Sequence, residues 1–457
     1  MEAFNTSSIT LPFPYTYGIT NVTNFTPLFP PHSTYNNIFT PTLPFPQPNM
    51  PPNYNTTLSC NMDTHIWTRI PQQLLDRILA FLPLPAFFRA RSVCKRWYSL
   101  LYSKSFLQLY LKVSPNHHWF IFFIHKTPTK NIIYTNTNDP NNNMVNTPSS
   151  SSNTKAYLFD PYELKWYTIP FPLIPLGFSP ATSSGGLICW ISDGPGLKNL
   201  FLHNPLLGST TQLPQTRRPR LFPSMGLSIT TSSINLILAG DDLISPYAVK
   251  NLTSETFLTN LGGFYTIWDT ISTLPKLSSF GSGQMIHSNG RFYCMNYSPF
   301  SVLTYDICSN YWWKIQAPMK RFLRSPCLIE SKKKVILIAA VEKSKLNVPR
   351  SLRMWVLQMC GTQWVEIERM PQELYAQFEE VEGERGFDCI GSGEFIVIMI
   401  KGINKGLLFD FDKKIWVWMP LICCDNNGGN DLHGFGYEPK LVTPVIDLVH
   451  QLLGHQF

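Results

Sequence analysis

Apolar and polar positions follow three different rhythms along this 457-residue chain, and each predicts a different kind of element. Leu74, Leu75, Ile78, Leu79 and Leu82 fall on one helix face, with Pro71 near its start and Pro83 just past its end. Val93, Trp97, Leu100 and Leu101 repeat that spacing on a later helix, beside Arg91, Lys95 and Arg96. Three short helices over residues 66–111 would make a small bundle. After His117 the rhythm becomes that of short strands separated by Gly, Pro, Asn and Ser turns. Residues 1–64 keep neither rhythm. Eleven Pro lie between Pro12 and Pro52, no Lys or Arg occurs, and only Glu2 and Asp63 are charged. Such a segment cannot bury enough apolar surface to offset chain entropy, so a disordered leader is predicted, passive or with its aromatics as interaction stickers. The Asn-, Thr- and Ser-rich tract at 127–156 reads as an inserted surface loop.

The strand region repeats a phrase: apolar strand, acidic or amide turn, aromatic strand, then proline. It runs Tyr157-Leu-Phe-Asp-Pro-Tyr-Glu-Leu-Lys-Trp166-Tyr-Thr-Ile-Pro170, and again Leu303-Thr-Tyr-Asp-Ile-Cys-Ser-Asn-Tyr-Trp312-Trp-Lys-Ile315 and Leu407-Leu-Phe-Asp-Phe-Asp-Lys-Lys-Ile-Trp416-Val-Trp-Met-Pro420. Weaker copies centre on Thr210, Trp268 and Trp364. The markers at 166, 210, 268, 312, 364 and 416 are spaced by 44, 58, 44, 52 and 52 residues, a mean of 50. Four short strands in about fifty residues is the signature of kelch-type propeller blades, each too small to cover both its faces alone. An all-β propeller of about six blades is predicted over 113–445, with seven possible and a tail at 446–457. An unclosed β-sandwich with Trp in its core is the alternative.

Within the helical segment, predicted as a domain at 65–112, Ile70-Pro71, Leu74-Leu75, Ile78-Leu79, Leu82-Pro83, the stretch Ala86 to Arg91 and Val93-Cys94-Lys95-Arg96-Trp97 together resemble an F-box. The resemblance implies docking on a Skp-type adaptor and, through it, a cullin in an SCF ubiquitin ligase. The implied contact residues are Ile70, Pro71, Leu74, Leu75, Ile78, Leu82, Pro83, Val93 and Trp97. The size of the segment agrees, because a 45-residue domain cannot hide all these side chains, and leftover apolar positions would form an interface. A free-standing bundle packed on the propeller is the alternative.

The order F-box then kelch-like repeats is similar to plant F-box/kelch-repeat proteins of floral identity. The phrases carrying the likeness are Leu75-Asp-Arg-Ile-Leu-Ala-Phe-Leu-Pro83, Gly240-Asp-Asp-Leu-Ile-Ser-Pro-Tyr-Ala-Val-Lys-Asn251, Phe292-Tyr-Cys-Met-Asn-Tyr-Ser-Pro-Phe-Ser-Val-Leu303 and Val341-Glu-Lys-Ser-Lys-Leu-Asn-Val-Pro-Arg350. Over roughly 65–421, the resemblance implies a LEAFY-type transcription factor as partner, DNA within the ternary complex, residence in the nucleus and also the cytoplasm, and control of floral meristem and organ identity. Two readings stay open: a ubiquitin-ligase substrate receptor, or a DNA-contacting transcriptional cofactor whose activity does not need ubiquitination.

Charge adds candidate surfaces. Only 14% of residues are charged, yet Lys320, Arg321, Arg324, Lys332, Lys333, Lys334, Lys343, Lys345, Arg350 and Arg353 oppose only Glu330 and Glu342 between 320 and 353. That segment carries +8, the formal net charge of the whole chain. Residues 366–394 follow at −7, with Glu379, Glu380, Glu382 and Glu384 at their centre. A basic rim facing nucleic-acid phosphates, joined by Arg217, Arg218 and Arg220 if these emerge beside it, and an acidic rim facing a basic protein form one reading. Solvated loop charges pairing across blades form the other.

The remaining chemistry is sparse. No apolar run approaches the ~20 residues of a membrane span, and the start lacks a signal peptide's pattern, so neither a membrane partner nor export is expected. Ten scattered Cys without a C-x-x-C pair predict reduced thiols rather than disulfides or zinc. No P-loop, H-E-x-x-H or G-x-S-x-G occurs, and His117-His118 read as structural. A non-catalytic receptor without metal or cofactor is the expectation.

Overall fold

The computed structural model describes residues 69–125, 156–169, 177–230, 233–242, 251–260, 268–270, 273–275, 283–297, 299–342, 350–421 and 431–441. The predicted leader, the insert up to residue 155 and the predicted tail lie outside the described residues. The chain divides between Pro115 and Asn116 into two compact units.

The first unit holds α1 (Gln72–Phe81), α2 (Leu84–Arg91), α3 (Lys95–Tyr98), a 3-10 turn (Ser99–Tyr102) and α4 (Lys104–Val113). Pro71 and Pro83 stand just before α1 and α2, where a missing N–H costs nothing. α1 buries Leu75 and Leu79, α2 buries Phe87 and Phe88, and α4 buries Phe106 and Tyr110, with the Phe87 and Phe106 rings stacked at 5.7 Å. The single later helix expected from Val93 to Leu101 is broken, so four α-helices stand among the described residues where three were predicted. Val93 lies in the turn closed by its N–H donating to the Ala90 carbonyl (3.0 Å). α3 then starts from Cys94, whose Sγ accepts the Trp97 N–H at 3.4 Å.

The second unit is a propeller of six four-stranded blades. Blade 1 contains β1 (Trp119–His125), β2 (Ala156–Asp160) and β3 (Lys165–Ile169). Blade 2 is β4 (Phe178–Ser184), β5 (Leu187–Ser192), β6 (Leu200–Asn204) and β7 (Ser209–Leu213). Blade 3 is β8 (Ser224–Ile229), β9 (Ser233–Asp242), β10 (Asn251–Asn260) and β11 (Trp268–Thr270). Blade 4 is β12 (Gln284–Ser288), β13 (Arg291–Tyr297), β14 (Phe300–Asp306) and β15 (Tyr311–Gln316). Blade 5 is β16 (Leu323–Ser331), β17 (Lys334–Val341), β18 (Ser351–Leu357) and β19 (Trp364–Arg369). Blade 6 is β20 (Phe387–Ser392), β21 (Phe395–Ile400), β22 (Gly406–Asp410) and β23 (Ile415–Trp418). The last strand, β24 (Asp431–Tyr437), returns to blade 1 as its inner strand and pairs antiparallel with β1 from Trp119↔Tyr437 to His125↔Asp431. This closure excludes the open sandwich.

All six repeat markers sit on the fourth strand of a blade. Three of the marker indoles join neighbouring blades: the Nε1–H of Trp166 donates to Pro420 O (2.8 Å), that of Trp268 to Pro214 O (2.8 Å) and that of Trp364 to Gln316 O (3.0 Å). Each carbonyl ends or just follows the outer strand of the preceding blade, which explains why aromatic and proline recur together. Apolar faces interdigitate across the same seams, as Ile336, Ile338 and Met354 of blade 5 do with Ile396, Ile398 and Phe409 of blade 6.

The acidic or amide residue of the phrase caps the turn before the fourth strand. Asp160 Oδ1 accepts the Tyr162 and Glu163 N–H groups, Asn204 Oδ1 those of Leu206 and Leu207, Asp306 Oδ1 those of Cys308 and Ser309, and Asp410 Oδ1 those of Asp412 and Lys413. Each turn then closes on a left-handed residue, at Leu164, Gly208, Asn310 and Lys414. Only Gly208 takes that conformation without a Cβ penalty.

Strand order sorts the connections by face. The turns inside the first and second hairpins, such as Gly185-Gly186, Asn289-Gly290, Lys332-Lys333 and 411–414, gather at one end of the strands. Connections such as 193–199, 214–223, 317–322 and 370–386 gather at the other and are mostly longer. The 370–386 connection carries α5 (Gln372–Glu382).

Burial pushes the Asp306 and Asp410 carboxyls up, but this is outweighed. Arg291 and the Ser309 and Cys308 N–H groups hold Asp306 below the usual carboxylate range; Lys413 and the Asp412 N–H do so for Asp410. The stability these two supply is complete above the ordinary carboxylate pKa and is lost as pH falls below about 4. Asp306→Asn with Asp410→Asn is expected to flatten that acid limb, measured by urea melts from pH 7 to pH 3. An unchanged slope between pH 4 and pH 3 would refute the assignment.

Candidate functional site

On the helical unit, Ile78, Leu82, Val93 and Trp97 line an apolar groove of about 310 Å³, together with Leu79, Ala86 and Ala90, and with Arg89 at its edge. Val93 is 54% exposed. Of the predicted contact set, Pro71, Leu74 and Pro83 are exposed and Ile70 is half-buried, all outside the groove lining. Leu75 is a correction, since it faces inward and belongs to the core of the unit. Trp97 is mostly buried yet lines the groove. Asp76 accepts from Arg96 (2.7 Å), tying α1 to α3 across sequence. Sequence spacing missed Ala86 and Ala90, whose small side chains leave the groove open.

On the propeller, the basic segment divides between the two faces. Lys332, Lys333 and Lys334 occupy the tight turn between β16 and β17. Lys320, Arg321, Arg324 and Arg350 lie at the other end of those strands. β17 has eight residues, so roughly 26 Å separates the two groups. Both central residues of the tight turn, Lys332 and Lys333, have positive φ (51° and 61°). Lys332 pairs with Asp412, and the Lys333 N–H donates to the Glu330 carboxylate. Lys343 and Lys345 lie outside the described residues.

Three arginines of the sequence reading are not free surface charge. Arg220 is 0% exposed and meets Glu255, also 0% exposed, at 3.3 Å; its guanidinium further donates to Gly240 O, Thr253 O and Thr253 Oγ1. It therefore leaves the predicted basic patch. Arg353 is buried, donating to Ser351 Oγ (2.8 Å) and reaching Glu366 at 3.3 Å. Arg324 lies 2.5 Å from Glu382, which is 1% exposed. Burial pushes the Glu382 carboxyl up, but Arg324 and the Gly386 N–H outweigh this and hold it below the usual range. Arg217 is exposed, 3.9 Å from Asp269, and Arg218 is half-buried.

The acidic patch shrinks for the same reason. Glu379 pairs with Arg350 (2.9 Å) and Glu382 with Arg324, so only Glu380 and Glu384 of the predicted four stand exposed on and beyond α5. Opposite charges adjacent in sequence are folded against one another.

Composition-based reading missed the strongest apolar feature of the long-connection face. Phe222 is 66% exposed and Leu197 is also exposed, on two connections joined by backbone pairing of Gly196 with Arg220. Beneath them the buried Lys198 ammonium donates to the carbonyls of Ser192, Gly194 and Leu221. Among the described residues no group of three or more His, Cys, Asp or Glu could hold a metal ion, and no helix is long and apolar enough to cross a membrane.

Residues 67–109 match the F-box domain. The chain is 54% identical over 403 residues to the protein UNUSUAL FLORAL ORGANS of Arabidopsis thaliana, covering 86% of this chain and 89% of that one. It is 39% identical over 438 residues to the protein ABERRANT PANICLE ORGANIZATION 1 of Oryza sativa subsp. japonica, covering 88% and 95%. An F-box/kelch-repeat protein of Arabidopsis thaliana is 26% identical over 403 residues, covering 81% and 89%.

Arg324→Ala leaves a buried carboxylate without its cation and is expected to cost about 3 kcal/mol. Arg350→Ala breaks an exposed pair and is expected to cost less than about 1 kcal/mol. Equal losses in denaturant melts would contradict this division of the basic segment.

Proposed function

The chain belongs to the family of plant F-box proteins that includes UNUSUAL FLORAL ORGANS and ABERRANT PANICLE ORGANIZATION 1, and from that premise we propose that it is the substrate-receptor subunit of an SCF-type ubiquitin ligase. The observation carrying this reading is the apolar groove of the helical unit, whose exposed Val93 and half-buried Ile78 and Leu82 suit a Skp-type adaptor. The cullin is reached through that adaptor. The propeller then holds a second protein, a LEAFY-type transcription factor, and the chain acts in the nucleus and also the cytoplasm in floral meristem and organ identity. It contributes no chemistry of its own. Holding target and ubiquitin-charged enzyme on one frame raises their effective concentration.

We assign the second protein to the long-connection face, because recognition residues gather on loops carried by a rigid scaffold, and Leu197, Phe222, Arg217, Arg218, Lys320 and Arg321 all stand on its connections. The same cations support the alternative of a DNA-contacting cofactor. Lys332–Lys334, on the opposite face, would contact DNA only in a complex that wraps both rims.

Val93→Asp in the full chain is expected to weaken adaptor binding at least about tenfold, or ~1.4 kcal/mol, with melting temperature and LEAFY-type binding unchanged. Unchanged adaptor affinity would overturn the assignment. Removal of residues 66–111 separates the two readings. A ligase receptor then loses all activity, whereas a cofactor independent of ubiquitination keeps promoter activation.

A further inference from the structure

The inner strands of blades 5 and 6 approach each other at backbone contact. A Cβ placed on Gly391 of β20 would overlap the carbonyl oxygen of Glu330 on β16, so no side chain separates the strands there. Higher along the same strands two cysteines face across this seam. β16 is bulged between Arg324 and Cys327, with Ser325 at a positive φ of 49°. Such a bulge re-aims the side chains that follow it. The Cys327 thiol lies 3.4 Å from Ser325 O and 3.8 Å from Phe387 O, the latter on β20. Cys389 lies two residues beyond Phe387 on β20 and neighbours Cys327 across the seam. Both residues are half-buried. Neighbouring thiols on strands held this close are the first condition for a disulfide.

We propose that Cys327 and Cys389 are an oxidative modification site, a dithiol that a peroxide closes into a disulfide across the seam of blades 5 and 6. In the first step one thiol sulfur takes an oxygen from the peroxide, giving a sulfenic acid and releasing water from hydrogen peroxide. In the second, the other sulfur displaces that oxygen as a second water, and the sulfur–sulfur bond forms. Two thiols lose two electrons and two protons, and one peroxide is reduced to two waters. Burial pushes the Cys389 thiol up. The staple closes a loop that contains the connection 370–386 with α5, and joins the two blades whose charges interlock at Arg324 and Glu382. It needs no partner protein and is independent of the ligase reading.

The experiment treats the reduced full-length chain with hydrogen peroxide, alkylates remaining thiols and maps tryptic peptides without reductant. The peptides 325–332 and 386–401 each carry one cysteine. They are expected to appear joined, lighter by two hydrogens than their sum. The melting temperature is expected to rise by about 3–6 °C and to return on adding dithiothreitol. Cys327→Ser and Cys389→Ser, each a near-isosteric change, are expected to remove both signatures while leaving the reduced-state melting temperature close to that of the parent. Recovery of both peptides unlinked, at doses that have oxidised the exposed Cys308 and Cys360, would overturn the proposal. So would linkage of either cysteine to Cys294 instead.

Discussion

Seven residues near the end of the chain, Asp431–Tyr437, pair along their whole length with Trp119–His125, and that antiparallel ladder turns five four-stranded blades and a three-stranded fragment into a ring. A blade of four short strands cannot cover its own faces, so each depends on both neighbours. Without the returning strand, blade 1 would lose its inner edge. The Phe120 and Phe122 side chains that pack on Val397 and Leu408 of blade 6 would then meet water. Strand order sends the tight turns to one face and most of the longer connections to the other.

Charge shows the cost of reading surfaces from sequence alone. A +8 segment followed by a −7 segment looks like two fields aimed at two partners. In the folded chain, Arg324 and Arg350 lie at the same end of the strands as the connection 370–386, so Arg350 meets Glu379 and Arg324 meets Glu382. Removing a charge from water is expensive unless it is paired and hydrogen-bonded. Arg220 with Glu255, and Lys198 with three carbonyls, meet that condition beneath the connections that expose Leu197 and Phe222. Apolar replacements could be as stable, so these buried cations are best understood as fixing loop shape.

What the sequence made legible was local. The fifty-residue period was visible because the blades repeat short-range devices: an Asp or Asn capping its own turn in four of them, and a Trp on the fourth strand in five. The F-box was visible because its helix-breaking prolines and apolar spacing lie within 32 residues. What stayed hidden depends on partners distant in sequence. Arg220 looked like a surface cation because Glu255 is 35 residues away, and Leu75 looked like an interface residue because helical spacing does not say which stripe faces α4. The split of the later helix turned on Cys94 acting as a sulfur cap, a weak acceptor that propensity overlooks.

Hydrogen–deuterium exchange of the full chain, with and without a bound LEAFY-type transcription factor, tests most directly whether recognition belongs to the long-connection face. Slowed exchange is expected at 193–199, 214–223 and 317–322, with no change at the tight turns 185–186, 289–290, 332–333 and 393–394. Protection confined to those tight turns, with the three connections unaffected, would contradict it.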